Sequence, residues 1–150
     1  MAIQYTIQPA TWHDLLPLQS LERECFQDDA WPLIELLGVL IFPGTVHLKA
    51  VSEANQFIGF IAGDVRRNEG LGWILTIGVE PKFRRQGVAR ALLQECEVQM
   101  QLPKVRLSVR RSNQGAIDLY EKLGYCHVDV WKKYYHNGED GLVMEKKMNQ

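Results

Sequence analysis

Hydrophobic and polar positions change period several times along the chain, and each change marks an element. The opening stretch IQYTIQPA reads as a strand. TWHDLLPLQSLERECF follows, with Thr11 and Asp14 in capping-box relation and apolar side chains at Leu15, Leu18, Leu21 and Cys25, the period of an amphipathic helix. Pro17 inside it predicts a kink or a late start. WPLIELLGVLIF predicts a second, short helix with Pro32 near its first turn. Two strands come next, over residues 46–52 and 56–65, turning at Asn55. GWILTIGV alternates Trp73, Leu75, Ile77 and Val79 against Ile74, Thr76 and Gly78; both sides are largely apolar, which predicts a central strand. After a basic turn, Ala89, Leu92, Leu93, Cys96 and Met100 form one helical stripe. KVRLSVR alternates again, a further helix is predicted from Asn113 to Leu123, and two last strands flank HNGEDG. The order β-α-α-β-β-β-α-β-α-β-β predicts an α/β fold, a mixed sheet with helices on both faces.

Composition narrows what such a fold does. With 150 residues the chain has the length of one domain, and no linker, repeat or low-complexity stretch divides residues 1–150. A formal net charge of -1 provides no basic field, so neither nucleic acid nor an anionic membrane is an expected partner. The longest apolar run, LLGVLIF, is too short to cross a bilayer, and a cytoplasmic location is the default expectation. Cys25, Cys96 and Cys126 are odd in number and far apart, so they are expected reduced and mostly buried; His13, His47, His127 and His136 lack metal-ligand spacing.

One stretch carries chemistry. FRRQGVARALL, residues 83–93, sets two arginines and a glutamine against Gly87 and then turns into an apolar helix. The first N–H groups of a helix have no partner within it, and the macrodipole adds partial positive charge there. Glycine lets a phosphate approach that backbone closely, and Arg84 and Arg85 add charge. The same residues also suit a solvated basic turn.

VEPKFRRQGVARALL resembles the acyl-CoA-binding signature of the GNAT superfamily, Arg or Gln, two residues, Gly, any residue, Gly or Ala, through Arg84, Gly87 and Ala89. LSVRRSNQGAIDLYEKLGY, residues 107–125, is similar to that family's run of strand, Asn, helix with Tyr, and closing Gly-aromatic pair. The tail WKKYYHNGEDGLVMEKKM resembles that of the ribosomal-protein-alanine N-acetyltransferases and their relatives that acetylate protein N-termini. The resemblance implies a sheet of about seven strands with strands 4 and 5 splayed, and acetyl-CoA as the acyl donor. Its diphosphate would lie on the backbone of Arg85, Gln86, Gly87, Val88, Ala89 and Arg90, and its pantetheine would pair with Ile77, Gly78 and Val79.

In the same resemblance Asn113 bonds the pantetheine arm, and the Tyr120 hydroxyl protonates the leaving thiolate. From the residues alone Asn113 is equally a helix N-cap and Tyr120 a core aromatic. Trp31, Tyr134 and Tyr135 would frame the acceptor amine, although the two tyrosines also suit a cross-strand aromatic pair. Asp28 and Asp29 either attract a cationic amine or cap a turn. Ser108 stands where the look-alikes carry a Glu or His base, and a serine hydroxyl is a poor base at neutral pH. Three functions fit these residues: an acetyltransferase for peptide or protein N-termini, one for small amines such as polyamines or antibiotics, and an acyl-CoA-binding sensor without turnover.

Overall fold

The computed structural model describes residues 3–148. Its strands are β1 (Tyr5–Pro9), β2 (Thr45–Ser52), β3 (Phe57–Arg66), β4 (Leu71–Val79), β5 (Lys104–Arg110), β6 (Cys126–Trp131) and β7 (Gly141–Lys147). The helices are α1 (Leu15–Phe26), α2 (Leu33–Ile41), α3 (Val88–Met100) and α4 (Gln114–Lys122). This is the order the periodicity predicts. The strands form one seven-stranded sheet, β1-β2-β3-β4-β5-β7-β6, in which only β4 and β5 run parallel.

Each face is covered by a separate apolar cluster. α1 and α2 pack Leu18, Leu21, Leu36, Val39 and Leu40 against Phe60 and Ala62 of β3. α3 and α4 pack Leu92, Leu93, Cys96, Met100, Ile117 and Tyr120 against the opposite face. Pro17 is accommodated by a late start: a single 3-10 turn, Trp12–Asp14, precedes α1, and Asp14 Oδ2 accepts the Thr11 N–H at 2.8 Å. That leaves proline in the first helical turn, where a missing N–H costs nothing.

Two irregularities of the sheet position the site. β4 and β5 pair only at Leu71, Gly72 and Trp73 and then part. β4 also carries a bulge, since Ala62 faces Thr76 and Gly63 faces Ile74, leaving Leu75 without a partner on β3. The extra residue corrects the simple alternation read from GWILTIGV. Ile74, Ile77 and Val79 pack on the α3 side, whereas Leu75 belongs with the α1–α2 cluster and Thr76 bonds Glu22 of α1. β6 is shorter than the sequence suggests, ending at Trp131. Lys133 has a φ of 51° and its N–H donates to Asp140 Oδ1, which turns the chain before Tyr134.

Candidate active site

The parting of β4 and β5 leaves a gap that joins the two faces of the sheet. On β4 the Glu80 N–H donates to the Ile58 carbonyl, and the register sets Gly78 opposite Phe60. Antiparallel bonding alternates, so Ile77 and Val79 turn their N–H and C=O groups away from β3 and into the gap. The Val79 carbonyl is already taken, by Arg84 Nε at 2.9 Å and by the Cys25 thiol at 3.4 Å. Arg84 therefore braces the end of β4 through Nε, and the rest of its exposed guanidinium remains a donor at the mouth of the turn.

Beyond β4 the chain crosses a short turn and enters α3 through Arg85 and Gly87, both with left-handed φ, 62° and 85°. A φ of 85° favours glycine at 87, and a Cβ built there meets nothing within 4 Å, so the space in front of the turn is open. Among the described residues none accepts from the backbone N–H of Arg85, Gln86, Gly87, Val88, Ala89 or Arg90. The Val88 side chain is buried; that of Arg85 is exposed. Gln86 Oε1 accepts from the Ile3 N–H and the Tyr5 hydroxyl donates to the Gly87 carbonyl, tying the turn to β1. The result is a bank of unpaired N–H groups in front of a glycine, a shape and polarity that fit a diphosphate.

Asn113 caps α4, its side-chain oxygen accepting the Ala116 N–H at 3.2 Å. Tyr120 lies one face of α4 further on, its ring buried edge-on against Tyr125 at 6.1 Å. Burial, helped by the neighbouring Tyr135, pushes its hydroxyl up to about 12, so it carries its proton at any physiological pH.

The remaining candidate side chains lie on β5 and in the loops between α1 and α2 and between β6 and β7. Ser108 shares the β5 face of Arg106 and Arg110, opposite the buried Val105, Leu107 and Val109. Tyr134 and Tyr135 are not a cross-strand pair: they are consecutive in the β6–β7 loop, rings edge-on at 5.0 Å. They lie over Gly141 of β7, where a Cβ would sit 3.3 and 3.4 Å from their rings. Burial raises the Tyr135 pKa, opposed by the adjacent Ser108 hydroxyl. Trp31 sits in the α1–α2 loop against the apolar cluster. Asp29 is ion-paired to Arg110 through Oδ2, while its buried Oδ1 has no hydrogen-bond partner among the described residues.

Sequence reasoning missed Glu22. It is 2% exposed, its Oε2 accepting the Thr76 hydroxyl at 2.7 Å and its Oε1 the Trp31 N–H at 3.3 Å. A carboxylate thus lies between the free part of β4 and the α1–α2 loop. Burial raises its pKa above the ordinary carboxylate range, against the lowering effect of those two hydrogen bonds. The signal was present: position 22 falls on the stripe of Leu18, Leu21 and Cys25, where a charged residue needs a reason.

Residues 10–125 match the acetyltransferase (GNAT) family. The chain belongs to that family. Along its length this acetyltransferase is similar to the N-terminal acetyltransferase A complex catalytic subunit NAA10 of Arabidopsis thaliana, 32% identical over 95% of this chain and 77% of the relative. It is 31% identical to the B complex catalytic subunit NAA20 of the same plant, over 97% of this chain and 86% of the relative. The ribosomal-protein-S18-alanine N-acetyltransferase of Escherichia coli shares the fold, with a TM-score of 0.87 at 24% identity, covering 98% of this chain and 96% of that one. The acetyltransferase uses acetyl-CoA and delivers the acetyl group to an amine. No described helix is long and apolar enough to cross a membrane.

Proposed function

We propose that this acetyltransferase modifies the α-amino group of a peptide or protein N-terminus. The observation that carries the reading is the charge state of the acceptor wall. The three carboxylates Asp29, Glu139 and Asp140 are matched by three cations, Arg110, Arg111 and Lys132, all within ion-pair reach. A polyamine, with several positive charges, would want those carboxylates free. One ammonium on a neutral, extended backbone suits a wall of Trp31, Ser108, Tyr134 and Tyr135 with hydroxyls at its edge. The similarity to two N-terminal acetyltransferase subunits supports the same reading. Residues 1–150 are taken as one catalytic domain, whose outermost positions, 1–2 and 149–150, lie outside the described residues. Its three cysteines are free thiols, which suits the reducing cytoplasm.

Acetyl-CoA supplies the acetyl group as a reactive thioester. Its diphosphate is assigned to the N–H groups of residues 85–90 and its pantetheine to the open edge at Ile77–Val79, with the free amide end of Asn113 close to that arm. The Val79 N–H donates to the negative charge that builds on the carbonyl oxygen during attack. Before attack an ammonium must lose a proton, and Glu22 is the acceptor that Ser108 is not. Its raised pKa brings it nearer the pKa of the amine than an ordinary carboxylate.

Tyr120 faces the departing sulfur. With the Tyr120 hydroxyl at about 12 and a thiol near 8.5, full proton transfer to the thiolate runs about 3.5 pKa units uphill, on the order of 5 kcal/mol. The tyrosine therefore works mainly as a hydrogen-bond donor to the sulfur as charge develops. The test is thiol release from acetyl-CoA across a panel of N-terminal peptides and small amines. Peptides should turn over with the higher kcat/KM; preference for a small amine would sink this reading.

A further inference from the structure

Arg110, the last residue of β5, makes contacts that neither donor binding nor proton transfer uses. Its Nε donates to Asp29 Oδ2 at 2.9 Å and its Nη2 bonds the same oxygen. Nη1 donates to Asn137 Oδ1 and to Glu139 Oε1, both at 2.9 Å. The guanidinium lies over the Tyr135 ring, 4.5 Å from its centroid. Glu139 Oε2 in turn accepts the Ser112 N–H at 2.6 Å, one residue before the Asn113 cap of α4. One planar cation thus links the α1–α2 loop, the β6–β7 loop and the entry to the helix that carries Tyr120.

None of Asp29, Tyr135, Asn137 and Glu139 belongs to either apolar cluster. The sheet and its helices are held by other contacts, so opening this clasp frees the loops and leaves the core in place. The geometry also asks for arginine. Acceptors approach the plane from two edges while an aromatic ring occupies one face, and only a forked, flat cation meets all of them; an ammonium at the same place is a point charge on a flexible stem.

We propose that Arg110 is a positioning residue for the acceptor amine: it clasps the two loops together and fixes Tyr135 between them, so that the acceptor groove exists as a formed site only while the clasp is closed. This rests on reading the space between those loops as the acceptor site. The consequence is a split in the kinetics. Misplacing a wall by about 1 Å costs up to about 100-fold in rate through lost orientation, and here the loss should fall on the acceptor alone.

The experiment uses the full chain and the best acceptor the wild type shows, peptide or small amine, so that failure of the N-terminal reading is seen separately in the wild-type panel. Arg110→Ala and Arg110→Lys should each raise the acceptor KM by about 10- to 100-fold while the acetyl-CoA Kd stays the same. Guanidinium ion added to Arg110→Ala should recover part of the loss by refilling the space between Asp29 and Glu139. An unchanged acceptor KM in Arg110→Ala, or equal loss of affinity for both substrates without rescue, overturns the proposal and leaves Arg110 a stability residue. Should Arg110→Ala not fold, Asp29→Ala and Glu139→Ala each cut one arm of the clasp. A raised acceptor KM in both supports the proposal, and an unchanged one in both overturns it.

Discussion

The two sides of the proposed site, one for the acetyl donor and one for the amine acceptor, are built from different materials. The donor side is backbone: the outward N–H groups of Ile77 and Val79 and the unpaired N–H groups of residues 85–90, all within one strand, one turn and the start of one helix. Its chief demand on side chains is that none should fill the open space in front of Gly87. The acceptor side is side chain throughout: Glu22 and Asp29 near α1, Ser108 and Arg110 on β5, Tyr134, Tyr135 and Glu139 beyond β6. Its key ion pair spans 81 positions of sequence. A backbone site accepts many sequences and binds one ligand. A side-chain site can be retuned residue by residue, so acceptor specificity has room to vary on an unchanged donor frame.

Substitutions should separate the two sides. The largest effect is expected for Gly87→Glu, which puts a carboxylate where a diphosphate is assigned and strains a left-handed φ. Like charges about 4 Å apart near a surface repel by about 4 kcal/mol, so acetyl-CoA affinity by calorimetry should fall about 1,000-fold. Gly87→Ala separates strain from charge, because its Cβ meets nothing within 4 Å, and most of the affinity should survive.

Next comes Tyr120→Phe, which keeps the buried ring and removes the donor. Turnover should fall about 100-fold, the scale for losing one hydrogen-bond donor to charge developing in the transition state, with acetyl-CoA affinity and Tm little changed. Full turnover under conditions where chemistry limits the rate would falsify the assigned role.

Glu22→Gln should lower kcat by a further step of about 10- to 100-fold and remove the acid limb of the pH profile. Because burial raises the Glu22 pKa, that limb lies above 4.5 in the wild type. Stability should move the other way. A carboxyl with a raised folded pKa favours the fold below its unfolded pKa and loses that advantage as pH rises through the folded one. The Tm of Glu22→Gln, compared with wild type, should therefore gain as pH climbs from 4.5 towards neutrality. The smallest effect belongs to Arg85→Ala, an exposed charge beside several backbone donors. A loss of acetyl-CoA affinity of up to about 5-fold is expected, shrinking as salt is added.

The same division explains how much of the molecule is legible in its sequence. Element order and the splay between β4 and β5 are readable, the first from local periods and the second from the family resemblance. The Gly87 turn into α3 is readable because a glycine and a helix start adjoin in sequence. The phase of β4 is not, since a bulge leaves no mark in an unbroken apolar run such as WILTIGV. Nor is the fate of Asp29: nothing in QDDAWP says that an arginine 81 positions later will claim it. Ser108 is recognisable as an unsuitable base, yet Glu22, the carboxylate proposed in its place, lies on a helix whose leucines dominate the pattern.

The bulge at Leu75 also makes β4 a strand with two reading frames. In an antiparallel pair the face taken by a side chain and the edge taken by its amide are locked together, so one unpaired residue shifts both at once. Gly72 and Ile74 face α3 on even positions, Ile77 and Val79 on odd ones, and Leu75 is the residue that carries the count from one to the other. Excising it would therefore merge the two frames: Ile74 and Thr76 would become neighbours in a regular ladder, with the faces and the outward amides of Ile77 and Val79 unchanged. What would go is the Leu75 side chain from the α1–α2 cluster and the extra twist that a bulge lends its strand, just where β4 and β5 part.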